Sequence, residues 1–168
     1  IITGGSDDAV AKVREMLPKA VSEKIVGAFH AEMFANVNDI FEKVKPVISE
    51  SESMEEKAIV SELLTAAGKG QNAVIGIEDV LNALQEGRVM KLIFIKDVED
   101  SGYACRNCRY LSKQKVSACP YCKGGMEEVN YLVDLAAQRA VEQGSLIEVI
   151  ADNKELLDAG GIGAVLRF

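Results

Sequence analysis

Met90-Lys91-Leu92-Ile93-Phe94-Ile95 is an apolar run of strand length with a single charged interruption, the pattern of a strand covered on both faces. Before it, Ile77, Val80, Leu81 and Leu84 recur at helical spacing and stop at Gly87. After it, Leu132, Val133, Ala136 and Ala140 mark a second helix that ends near Gly144. A strand over 146–150, a short helix over 153–158 and a last strand over 163–168 complete the set. Strands alternating with helices on both sides of a short sheet predict α/β architecture, a three-layer α/β/α sandwich.

The segment between the buried strand and the second helix breaks this alternation. Cys105-Arg106-Asn107-Cys108 and Cys119-Pro120-Tyr121-Cys122 hold all four cysteines of the chain, ten residues apart. A Cys-x-x-Cys turn points two thiolates at one centre, and two such turns complete the tetrahedral sulfur shell that Zn²⁺ prefers. Four protein ligands leave no position for a catalytic water, so the expected site is structural. Iron with the same ligands, or a redox dithiol pair, fits the spacing too; zinc is the preferred reading. Asn107 is the expected left-handed residue, and Gly124-Gly125 the expected exit of a zinc ribbon inserted over 103–125.

Within that insert lie Arg106, Arg109, Lys113, Lys115 and Lys123 and no Asp or Glu, a local charge of +5 that leaves −12 on the rest of a chain whose total is −7. Tyr103, Tyr110 and Tyr121 fall there as well. Cations interleaved with aromatics can grip RNA by phosphate contact and base stacking, which makes those five residues RNA-contact candidates. The cations can equally offset a four-thiolate centre while the tyrosines cover a small core, and this second reading is preferred.

The first part of the sequence reads differently. Residues 1–3, Gly4-Gly5 and an amphipathic stretch from Ser6 predict strand, turn and helix, with Ser6 as N-cap. Asp7 and Asp8 at that helix start would repel an anion, which disfavours a phosphate cradle. Residues 22–30 read as a second strand. Val37, Ile40, Phe41, Val44, Val47 and Ile48 follow helical spacing, Pro46 predicts a kink or break, and helicity resumes until Gly68-Lys69-Gly70. The expected organisation is a partial α/β domain over 1–50, a connecting helix over 51–69 that continues one long kinked helix, and a second domain over 70–168. A first residue Ile1 in place of Met suggests a piece of something longer.

Composition bounds the function. Apolar residues make up 48% of 168, so a packed core is expected, and an acidic balance of 26 carboxylates to 19 Lys and Arg disfavours phosphate binding over the whole surface. No apolar run is long enough to span a bilayer, and clustered cysteines point to a reducing, cytoplasmic setting. His30, the one histidine, sits at the end of an apolar run and reads as structural, so no catalytic site is expected.

Three stretches together resemble the archaeal/eukaryotic-type peptide-chain release factors and their bacterial relatives. Ala73-Val74-Ile75-Gly76-Ile77-Glu78-Asp79-Val80-Leu81-Asn82-Ala83-Leu84-Gln85-Glu86-Gly87-Arg88-Val89 looks like the opening of that family's third domain. The zinc ribbon follows the next strand. Gly160-Gly161-Ile162-Gly163-Ala164-Val165-Leu166-Arg167-Phe168 looks like the family's terminal strand. Residues 1–50 look like the latter part of its middle domain. The resemblance implies a sandwich shared with kink-turn-binding ribosomal proteins, acting as a docking module for the ribosome and a translational GTPase. In that family peptidyl-tRNA hydrolysis belongs to a Gly-Gly-Gln loop, which this sequence lacks. The expectation is therefore an interaction module in translation termination; the alternatives are a piece of a peptidyl-tRNA hydrolase-type ribosome-rescue factor whose catalytic loop lies upstream, or a free-standing zinc-ribbon RNA binder.

Overall fold

A computed structural model describes residues 1–98 and 100–168. Backbone contacts divide the chain into two compact units, Ile1–Ala58 and Ile59–Phe168.

In the first unit β1 (Ile2–Gly5) and β2 (Gly27–His30) form a parallel pair, with Ile2 opposite Gly27 and Gly5 opposite His30. Between them lie α1 (Asp7–Met16) and the single turn α2 (Lys19–Ser22). Ser6 stands at the N-cap of α1 with extended backbone, but its side chain makes no capping bond. The expected strand over 22–30 begins only at Gly27, because Pro18 starts a helical turn whose carbonyl accepts from Val21 and Ser22 at 2.9 and 3.0 Å. Turn bonds then continue through Ile25, whose N–H donates to the Ser22 carbonyl at 3.1 Å, so the backbone becomes free to pair only beyond it. α3 (Val37–Gly68) opens on Asn36, whose Oδ1 accepts from the Asp39 N–H at 3.0 Å, and it runs through Pro46 as one element. No described residue of this unit is fully buried. Two strands offer too little sheet for a closed core.

The second unit holds the sandwich. Its sheet has the order β3 (Ala73–Ile75), β9 (Ile162–Leu166), β4 (Val89–Ile95), β8 (Leu146–Ile150). β4 and β8 are parallel, while β9 runs antiparallel to both of its neighbours. Alternation along β4 and β9 then fixes two faces. On one, Val89, Leu92, Ile162, Ala164 and Leu166 pack against α4 (Ile77–Gln85) and α5 (Leu132–Glu142) through Val80, Leu84, Leu132 and Ala136. On the other, Ile93, Ile95 and Ile150 meet Leu156 of α6 (Lys154–Asp158) and Val60 and Leu63 from the end of α3. The three layers are therefore those expected, and the last turns of α3 are one of them. Asn153 caps α6 by accepting from the Leu156 N–H at 2.9 Å. Each fully buried Leu or Ile here stabilises by about 1.5–3 kcal/mol.

Between β4 and α5 the chain forms a separate three-stranded antiparallel sheet, ordered β6 (Leu111–Ser112), β5 (Gly102–Cys105), β7 (Met126–Val129). Ala104, Leu111 and Val129 from this sheet are buried in the same cluster as α4 and α5. The insert thus shares its apolar side with the sandwich.

Candidate metal centre

Both Cys-x-x-Cys turns are built alike. In the first, the Cys105 N–H donates to the Tyr110 carbonyl at 2.8 Å and the Arg109 N–H to the Cys105 carbonyl at 3.0 Å. In the second, the Cys119 N–H donates to the Gly124 carbonyl at 2.9 Å and the Lys123 N–H to the Cys119 carbonyl at 3.0 Å. The residue after each second cysteine takes the left-handed conformation, Arg109 at φ 60° and Lys123 at φ 59°. Asn107 does not, which corrects the expectation: the reversal falls one residue after each cysteine pair, where the N–H must turn back to the first carbonyl.

All four Sγ atoms lie within 4.8 Å of one another. The shortest approaches cross between the turns, Cys105 to Cys122 at 3.4 Å and Cys108 to Cys119 at 3.5 Å. Sulfurs of a tetrahedral zinc site, each about 2.3 Å from the ion, are about 3.8 Å apart, so the cluster fits that shell with small adjustment. Disulfide sulfurs would be about 2.05 Å apart, and all four thiols are free. Gly124 is fitted to the centre: a Cβ there would lie 3.2 Å from Cys122 Sγ, 3.3 Å from Cys105 Sγ and 3.1 Å from Asn107 Cβ. Its N–H also points at Cys122 Sγ, 3.4 Å away.

That backbone donor and the neighbouring Cys105 thiol hold Cys122 below the usual thiol range. At Cys119 burial pushes the other way, but the backbone of Cys122 and Tyr121 outweighs it and the thiol is again lowered. Cys108 goes the opposite way, to about 12: the Tyr110 backbone favours its thiolate, but desolvation and the three crowding thiols prevail. A divalent cation held by the four sulfurs would favour the thiolate form of the whole set.

The five cations of the insert differ in their partners. Arg106 Nε pairs with Glu127 at 2.8 Å, Arg109 donates to both oxygens of Glu142 at 3.1 and 3.2 Å, and Lys113 pairs with Asp100. Lys123 Nζ reaches the Pro120 carbonyl at 3.3 Å, and Lys115 has no ion pair among the described residues. Tyr110 and Tyr121 rings tilt together at 5.0 Å between centroids, beside the second turn. Three cations that look unbalanced in the sequence thus find carboxylates just outside the insert. The reading missed these partners because Glu127, Glu142 and Asp100 lie beyond the 103–125 window. A second stripe at helical spacing, Leu135, Gln138, Arg139 and Glu142 of α5 with its N-cap residue Tyr131, was the available signal that this helix has a second packed side. His30 is exposed and lies 3.5 Å from Asp7, with no third group completing a catalytic set among the described residues.

Residues 53–168 match the family described as eRF1 domain 3. The chain is 26% identical over 172 residues to peptide chain release factor subunit 1 of Archaeoglobus fulgidus, across 92% of this chain and 42% of that protein. It therefore spans less than half the length of that relative. The C-terminal domain of a peptide chain release factor from Methanosarcina mazei superposes with a TM-score of 0.53 at 19% identity, covering 80% of this chain and 97% of that one. Dom34 of S. cerevisiae, described as a translation termination-like factor involved in RNA quality control pathways and interacting with Hbs1, gives 0.58 at 12% identity over 100% of this chain and 46% of that one. The shared feature is the fold.

Proposed function

From the premise that this chain belongs to the eRF1 domain 3 family, we propose that it is the C-terminal interaction module of a release-factor-like translation protein, held in shape by a structural Zn²⁺ on Cys105, Cys108, Cys119 and Cys122. The carrying observation is the pair of matched cysteine turns set into a sandwich of that family. A closed four-sulfur site offers no reactive position, so the module binds and the chemistry lies elsewhere. Residues 70–168 are the third domain with the ribbon at 103–125, 51–69 the connecting helix, and 1–50 the end of the middle domain. The partners are the ribosome and a translational GTPase, in the cytoplasm. No helix among the described residues is long and apolar enough to cross a membrane.

RNA contact through the ribbon is the subordinate part of this proposal. With Arg106, Arg109 and Lys113 engaged by carboxylates, phosphate contact falls first to Lys115 and Lys123. Co-sedimentation with ribosomes at moderate salt tests the main reading. The zinc-loaded chain should pellet with ribosomes; a chain that stays in the supernatant at every salt concentration tried would overturn it. A second reading is that the parent is a peptidyl-tRNA hydrolase-type rescue factor; the RNA quality control role described for Dom34 supports the rescue part of it alone. It requires a Gly- and Gln-bearing loop outside these 168 residues, and peptidyl-tRNA hydrolysis by the intact protein would decide it.

A further inference from the structure

A cleft of about 560 Å³ is lined by the ribbon sheet and by α5. Ala104, its cross-strand partners Leu111 and Glu127, and Val129 share the sheet face that lines it. Leu135 completes an apolar floor, α5 contributes Arg139, and its C-cap residue Gln143 lies at the end of that wall. The volume suits one large side chain with part of its backbone.

The polar groups around this floor are unevenly satisfied. Arg106 and Arg109 are balanced by Glu127 and Glu142. Arg139 is not: its two donors go to the neutral Arg109 carbonyl and to Gln85 Oε1, each at 2.7 Å, and no carboxylate meets it among the described residues. Gln143 Nε2 is committed to the Leu84 carbonyl at 2.9 Å, which fixes the amide, and its buried Oε1 meets no donor among the described residues. A buried acceptor left unpaired costs about 1–3 kcal/mol, so an arriving N–H is favoured there. Among the described residues β7 is an edge strand with β5 as its one strand neighbour, which leaves main-chain groups for an extended segment.

We propose that this cleft docks an extended peptide of a partner protein that presents one large apolar side chain beside one carboxylate. The apolar side chain fills the floor, the carboxylate neutralises Arg139, and a peptide N–H satisfies Gln143. Nucleic acid suits the cleft less well, because Glu127 and Glu142 stand on its rim and the cationic surplus is one charge. The proposal deepens the docking reading above and rests on it.

The test is a titration of zinc-loaded, ¹⁵N-labelled chain followed by amide chemical shifts. The probe is the capped pentapeptide Gly-Leu-Trp-Asp-Gly, with versions carrying Asn for Asp or Ala for Trp, and an eight-residue oligouridine beside them. Saturable shifts are expected at 104–106 and 135–143, with the Asn and Ala versions each weaker by about tenfold, the equivalent of one lost charge-assisted or buried contact. Gln138→Trp, an exposed position on the cleft wall, should close the cleft and abolish the shifts while the remaining spectrum is preserved. Absent shifts at millimolar peptide, binding indifferent to Asp or to Gln138→Trp, or the same amides moving with oligouridine would each overturn the proposal. A chain that pellets with ribosomes yet ignores the peptide sinks the cleft assignment and leaves the docking reading standing.

Discussion

Gly124 and Gly125 are adjacent and chemically identical, yet a methyl group at Gly124 meets two sulfurs and the Asn107 side chain, while at Gly125 it meets nothing within 4 Å. Gly124→Ala should therefore push Cys105 and Cys122 apart and weaken metal binding, by about tenfold or more if a contact near 3.2 Å must relax against a fixed sulfur shell. Gly125→Ala is the control and should leave affinity unchanged. Competition against a chromophoric chelator reads both. Such a pair is invisible in the sequence, where two glycines after a cysteine turn read as one flexible exit. The same holds for the left-handed positions. Arg109 and Lys123 carry that conformation without being Gly or Asn, because the two backbone bonds of each turn impose it.

Among the elements, β4, α4, α5, β8, α6 and β9 were legible because their period and their glycine stops agree. The three residues of β3 gave no such signal, and the strand expected over 22–30 begins only at Gly27, behind a helical turn at 19–22 that no pattern marked. Helix α3 supplies the interlock that no periodicity reveals. Leu63 is 1% exposed, and a Cβ on Gly163 of β9 would lie 2.7 Å from its Cδ2 and 3.0 Å from the Val74 carbonyl. Leu63→Ala should cost about 3 kcal/mol in urea unfolding. Gly163→Ala should also destabilise, and in the Leu63→Ala background it should cost less, because one of its two clashes has gone. Strict additivity would contradict the contact. For the ribbon, Cys119→Ser should release the metal and unfold 102–129 while amide exchange in β4 and β9 stays protected, since the binding energy of the ion is local folding energy. Loss of protection across the four-stranded sheet would show that the ribbon is needed for the whole sandwich.

At the scale of the molecule, an acidic chain of net charge −7 carries a ribbon whose cations are mostly matched by carboxylates. Single-stranded RNA should then bind weakly, with a slope of log affinity against log salt of about −1.4 if Lys115 and Lys123 alone meet phosphates. Filter binding across a salt series measures it. A slope near −3.5, about that for all five cations, would revive the nucleic-acid reading of the insert. Charge counted along a window suggested that reading, and charge counted in space withdraws most of its support.

The order of the strands has a consequence for how such a protein is made. β9, the last strand in sequence, lies between β3 and β4, and both pair with it and not with each other. A nascent chain threaded from the ribosome therefore presents β3 and β4 with no common neighbour until residues 162–166 have cleared the exit tunnel. β4 and β8 can pair before that, but β3 joins them only through β9, and a transcript cut short earlier leaves the facing edges of β3 and β4 unpaired.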